Sequence, residues 1–165
     1  MKSTLKFATL IIALLVLSCG GVEEKKETST VKLKKQSTEK KAVTNITKAS
    51  ETVDLTSKGV GPITSIEIHS QIDQAMVTHG KDVFDKMCTA CHRVGKKFIG
   101  PAPDGIMDRR TPEWVMNMIL DPEGMVKNDP LARELLIEFN GSPMANQSLS
   151  EEDARAVLEY FRTLK

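Results

Sequence analysis

Cys88-Thr89-Ala90-Cys91-His92 is the stretch that decides how this chain is read. Two thiols three positions apart, with an imidazole directly after the second, form the attachment pattern of a c-type haem. Each thiol can add across one of the two haem vinyl groups, so one turn of backbone carries both thioethers. His92 is then held beneath the iron, where its nitrogen becomes the proximal ligand. Two other chemistries compete for the same residues. A zinc site needs about four ligands, and the remaining Cys and His, namely Cys19, His69 and His79, stand at no recognisable spacing. A thioredoxin-type dithiol needs a βαβ context, whereas the flanking sequence reads as helix. One covalently bound haem c is the expected cofactor.

Working outward, Ile72, Ala75, Met76, Val83, Phe84 and Met87 approximate one helical face, so a helix of about Ile72 to Met87 delivers Cys88 at its end. Gly80 inside it costs up to about 1 kcal/mol relative to Ala, which predicts that another backbone packs closely there. After the motif, residues 93–103 form a loop by their Gly and Pro content. A ligating His usually donates its second ring N–H to a carbonyl, and Pro101 is the candidate to supply it. A short helical turn is expected within Asp104 to Arg109. Thr111-Pro112-Glu113 opens a helix with an N-cap, a first-position Pro and an early acid, and Asp121-Pro122 ends it. Asp129-Pro130 opens another, which Asn140-Gly141 stops. Ser150-Glu151-Glu152-Asp153 resembles a capping box and starts a terminal helix carrying Ala154, Val157, Leu158, Phe161 and Leu164. No stretch alternates convincingly, so the expected fold is all-α, with about four to five helices around one haem.

Upstream, Lys2 and Lys6 flank a polar start and Phe7 to Leu17 form an almost unbroken apolar run. That run has signal-peptide length and is too short to span a bilayer. It ends in Leu15-Val16-Leu17-Ser18-Cys19-Gly20, which resembles a bacterial lipobox, although Val16 stands where Leu is commoner. The resemblance implies cleavage after residue 18 and acylation of Cys19, with enough acyl chains to hold a membrane stably. Residues 19–62 are expected to be a flexible linker. They are rich in Lys, Glu, Thr and Ser without an aromatic residue, and cannot bury enough apolar surface to offset ordering entropy. As a coil of about 43 residues the linker reaches roughly 35 Å. Gly59-Val60-Gly61-Pro62 reads as a turn leading into the folded domain, 63–165, where Ile63, Ile66 and Ile68 suggest a short extended segment. Charge divides along the same line. Residues 20–62 hold 9 Lys against 6 acids, and residues 63–165 hold 12 Lys and Arg against 16 acids. An acidic domain on a basic tether is not a nucleic-acid footprint. Its negative charge predicts a basic docking patch on a partner.

Taken together, residues 72–165 resemble a small monohaem class I cytochrome c. The features that carry the likeness are Gly80 and Phe84, the Cys88–His92 motif, Gly100-Pro101, Pro143-Met144, and a terminal helix with Tyr160-Phe161. The resemblance implies that the first and last helices cross at the Gly and aromatic positions, that Pro101 binds His92, and that Met144 completes the iron. Met144 also sits in a Gly-Ser-Pro loop that no apolar periodicity claims, although a Met is by default core filler. Met125, beside Gly124, is its strongest rival, and His69, His79 or an open position compete as well. Trp114, the sole Trp, can either hydrogen-bond a haem propionate or pack at the haem edge, and Arg109 and Arg110 can either neutralise a propionate or lie solvated. Gly59-Val60-Gly61-Pro62-Ile63 and Thr111-Pro112-Glu113-Trp114 also resemble bacterial cytochromes associated with nitrous oxide reductase.

A His/Met-ligated haem suits one-electron transfer, because the soft thioether favours ferrous iron and raises the potential. The expected protein is therefore a monomeric electron carrier, not an enzyme, anchored on the periplasmic side of the inner or outer membrane. Its donor is a quinol-oxidising protein or another cytochrome, and its acceptor a terminal reductase or oxidase, nitrous oxide reductase among them. Competing with this reading are a haem-based sensor or ligand-binding module, and a small peroxidase with a labile sixth ligand.

Overall fold

The computed structural model describes residues 47–165. The expected signal segment 1–18, Cys19 and most of the linker lie outside the described residues. Five α-helices and no strand make up the described part: α1 (Gln74–Met87), α2 (Pro112–Leu120), α3 (Pro122–Asn128), α4 (Pro130–Glu138) and α5 (Glu151–Phe161). A 3₁₀ turn, Ile106–Asp108, lies between α1 and α2.

Caps set most of these boundaries. The carboxylate of Asp73 accepts from the amides of Ala75 and Met76 and starts α1. Thr111, Asp121 and Asp129 each cap a helix whose first residue is proline; the missing N–H costs nothing there and the ring fixes a helical φ. Ser150 Oγ accepts from the amide of Asp153 and opens α5. The sequence reading leaves 122–128 without an element. It is α3, because Asp121 both ends α2 and caps the helix that follows.

Helices α1 and α5 cross at Gly80. A Cβ placed on Gly80 would lie 1.9 Å from the carbonyl oxygen of Ala156, so the two backbones meet as that residue predicts. Phe84 packs there with ring centroids 5.6 Å from Tyr160 and 5.7 Å from Phe161. Beside the crossing, the Glu159 carboxylate is 1% exposed and receives Arg155, Arg162 and the amide of Asp73. Burial works against the ionised form, yet the hydrogen bonds from Arg162 and Arg155 hold this carboxyl below its usual range.

The domain begins earlier than expected. Residues 48–63 are part of the described fold and pack on it, so the linker does not extend to residue 62. Ser50 donates both its amide and its hydroxyl to Glu138, at 2.8 and 2.6 Å. Thr111 donates its hydroxyl to the Ser57 carbonyl at 2.6 Å. Asn117, buried in α2, donates to the carbonyls of Lys58 and Ile63 and accepts from the Ile63 amide, each at 2.9 Å. Composition conceals this segment because it binds through its backbone. Between the buried Ala49 and Ile63, its larger apolar side chains point outward, with Val53 62% and Leu55 55% exposed. Ile63, Ile66 and Ile68 then pack against the core as expected.

Candidate haem site

A cleft opens between α1, α2, α4 and α5, and it collects most of the residues singled out from the sequence. Cys88, Cys91, His92, Pro101, Trp114 and Met144 all line it. Cys88 extends α1 by one residue, its amide bonding to the Phe84 carbonyl. The Cys88 carbonyl then accepts from the amides of Cys91 and His92, at 3.0 and 2.9 Å, closing the motif into one tight turn. Both thiols are free. Burial, with Cys91 beside it, pushes the Cys88 thiol up to about 11.

His92 is held on two sides. Its Nδ1–H donates to the Pro101 carbonyl at 2.8 Å. A carbonyl can only accept, so the proton resides on Nδ1 and the Nε2 lone pair is free to ligate. Gly100 lies against the ring, where a Cβ would come within 2.6 Å of Cε1, and the Gly100 amide donates to the Cys91 carbonyl at 2.8 Å. Motif and proline loop thus close on each other through three local contacts.

Met144 comes from the segment joining α4 to α5. It is half-buried between the exposed Pro143 and Ala145 and packs against the core. Its rivals are placed elsewhere. Met125 is fully buried and its sulfur accepts from the Val60 amide at 3.0 Å. His79, on α1, meets Asp153 at 2.8 Å, and the exposed His69 lies near Glu67. None of the three lines the cleft.

The cleft wall is otherwise apolar, with one polar corner. Arg109, Arg110 and Trp114 line it, and the Nε atoms of both arginines and Nε1 of Trp114 are buried without a hydrogen-bond partner. Three orphaned N–H donors in one apolar cleft call for an acceptor, and the carboxylate side chains of a haem supply one. Arg110 is 1% exposed and lies with its guanidinium 5.1 Å from the Trp114 ring centroid. Burial and the adjacent Arg109 pull it below the ordinary guanidinium range, against Asp54 and Asp129. The residues present fit a haem. Sequence reading missed Ser50, which also lines the cleft; no signal in its polar surroundings marks it.

A family model described as cytochrome c matches residues 77–165. The chain belongs to the cytochrome c family. That family binds a covalent c-type haem, and Cys88 and Cys91 stand at the spacing it uses. Among solved structures, a cytochrome c from Rhodothermus marinus is 43% identical, with a TM-score of 0.60, covering 62% of this chain and 87% of that one. An engineered cytochrome c from the same organism is 42% identical at a TM-score of 0.60, covering 62% and 88%. A further structure of that engineered protein, bound to a carbene intermediate, is 42% identical at 0.57, with the same coverage. No curated protein matches the chain. Family and fold together make this a haem protein of electron-carrier type.

Proposed function

We propose that this cytochrome c is a one-electron carrier whose iron is held by His92 and Met144 and whose haem is bonded to Cys88 and Cys91. The supporting observation is the shared cleft: His92 presents a free Nε2 fixed by Pro101, and Met144, half-buried between exposed neighbours, lines the same cleft. A haem held by His92 and Met144 would supply reversible Fe(III)/Fe(II) chemistry. The chain's own residues set its tone. Pro101 fixes the tautomer and ring angle of His92, the Met144 thioether favours the reduced state, and the apolar wall excludes water.

The likeness of residues 15–20 to a lipobox supports export, with an acyl anchor at Cys19 holding the domain on the periplasmic face of a membrane. The partners are a quinol-oxidising protein or cytochrome as donor and a terminal reductase or oxidase as acceptor. Nitrous oxide reductase is the specific candidate on sequence likeness. Contact charge around Cys91 reverses the expectation drawn from net charge, which was a basic patch on the partner. Beside the exposed Cys91, the run Arg93 to Lys97 holds three cations and no acid, flanked by exposed Val94, Phe98 and Ile99. A partner docking over Cys91 therefore meets a basic rim, and its own patch is acidic, because contact electrostatics are local within a Debye length of about 8 Å.

A ligand-binding or peroxidase reading keeps one supporting fact: an engineered relative holds a carbene intermediate. Potentiometry and CO exposure of the haem-loaded protein separate the readings. A carrier cycles reversibly by one electron and its ferrous form leaves CO unbound at neutral pH; ready CO uptake, or sustained peroxide turnover, overturns the carrier reading.

A further inference from the structure

The arginine at the polar corner of the cleft is gripped from behind. Its two terminal nitrogens both turn to carbonyls: one donates to Thr52 and, at 2.8 Å, to Arg109, and the other to Ala49 at 2.7 Å. Ala49 and Thr52 belong to the segment 48–57, which also donates the Asp54 amide to the Arg109 carbonyl at 2.9 Å. Nε of Arg110 makes no such bond; with Nε of Arg109 and Nε1 of Trp114 it is one of the three buried donors without a partner on residues that line the haem cleft. A guanidinium is a rigid planar fork, so fixing both terminal nitrogens fixes where the Nε–H points.

We propose that segment 48–57 is a strap that positions Arg110 toward a haem carboxylate, so that docking of the strap tunes the reduction potential. The strap contributes no ligand and almost no apolar surface. Its inward residues, Ala49, Ser50 and Thr52, are small or polar, while Val53 and Leu55 face solvent. A segment that docks by hydrogen bonds, each contributing about 0.5–1.5 kcal/mol net, is held more weakly than the helices. Its outer anchor is Glu138, which takes two hydrogen bonds from Ser50 and does not itself line the haem cleft.

The sign follows from charge. Arg110 opposite a haem carboxylate offsets a negative charge that would otherwise stabilise ferric iron. Releasing the strap lets the guanidinium swing toward water and admits water behind it. Both changes favour the ferric state and lower the potential. Arg110 acts here as a positioning residue for the cofactor's acid group, and Glu138 acts through the strap. The proposal rests on the haem-carrier reading, so its test must report axial ligation separately.

The experiment is spectroelectrochemical titration of the full-length, haem-loaded protein and its variants, with the ferric near-infrared thioether band recorded to confirm that Met144 still ligates. Arg110→Gln is expected to lower the midpoint by about 59 mV, the one-electron equivalent of a tenfold change in the reduced-to-oxidised ratio. Arg110→Lys keeps the charge but cannot both hold the strap and reach the cleft, and should fall between. Glu138→Ala should shift the ratio by about threefold in the same direction, while hydrogen exchange at the Asp54 amide speeds up. Combining Glu138→Ala with Arg110→Gln should give no more than Arg110→Gln alone, since both act through one clamp. If the Asp54 amide stays protected in Glu138→Ala, Glu138→Lys, which sets a cation near Lys48 and Lys97, is measured in its place. A freed strap with an unchanged midpoint, additive shifts in the double variant, or a strap that stays protected in both variants overturns the proposal. Loss of the near-infrared band in the unmodified protein would instead count against Met144 ligation, not against the strap.

Discussion

The two segments that bring the proposed ligands His92 and Met144 to the cleft are built in different ways. His92 is fixed by neighbours within nine residues of it: the Cys88 carbonyl behind, Gly100 against the ring, and the Pro101 carbonyl on Nδ1. Met144 is held by packing. Around it, Ser148 bonds to Asn146 and Gln147 to Ala145, both local contacts, and among the described residues the one hydrogen bond that reaches across the fold is Asn146 to the Leu120 carbonyl at 3.3 Å. The placement of His92 is a product of local backbone chemistry, and that of Met144 depends on the loop staying seated. The difference teaches where this haem site can be opened: on the Met144 side.

The sharpest way to break the His92 side is Gly100→Ala, because its Cβ would meet a ring that has nowhere to go. Overpacking of this kind costs about 1–3 kcal/mol, read as a lowered thermal midpoint of the haem-loaded protein together with a disturbed Soret band. Met144→Ala probes the other side. Truncating a half-buried side chain should cost about 1 kcal/mol of packing, while the potential falls and the ferrous form now binds CO. If Met144→Ala proved the more destabilising of the two in the absence of haem, the contrast drawn between the segments would fail.

Acid tests a different part of the fold. The Glu138 and Glu159 carboxyls both lie below their usual value of 4.5 in the folded chain, held there by the hydrogen bonds of Ser50 and of Arg162 and Arg155 against their burial. A depressed folded value means the unfolded chain binds more protons. The stability from these groups is therefore present above about pH 4.5 and is lost as pH falls through the folded values. The thermal midpoint should decline below pH 4.5, and Glu159→Gln should flatten that decline. The smallest effect on stability belongs to the rim. Reversing Lys96 to Glu should leave the melting curve in place and slow electron transfer to an acidic partner several-fold at low salt, with the difference vanishing at high salt.

The sequence was most legible where one residue type has one job. Thr111-Pro112, Asp129-Pro130 and Ser150 cap helices by local hydrogen bonds that a sequence displays directly, and Gly80 marks a backbone approach that only glycine allows. The motif named its cofactor, and Pro101 and Met144 reached the cleft with it. The strap was illegible because periodicity detects apolar burial, and this segment turns Val53 and Leu55 outward, buries only the small Ala49, and docks through hydrogen bonds. One clue was present. Trp114 to Leu120 is apolar at every position but Asn117, and a helix apolar all round must also be covered on the side away from the cofactor. Residues 57–63 supply that cover. Met125 reads as a rival ligand from its place beside Gly124, but the fold employs its sulfur as an acceptor for the amide of Val60.

The central claim is that His92 and Met144 together close the iron. The measurement closest to it is the ferric near-infrared spectrum of the haem-loaded chain, taken beside that of Met144→Ala. The account predicts a weak thioether-to-iron band in the natural chain and none in the variant. A spectrum without the band, or a band that survives in Met144→Ala, would contradict it.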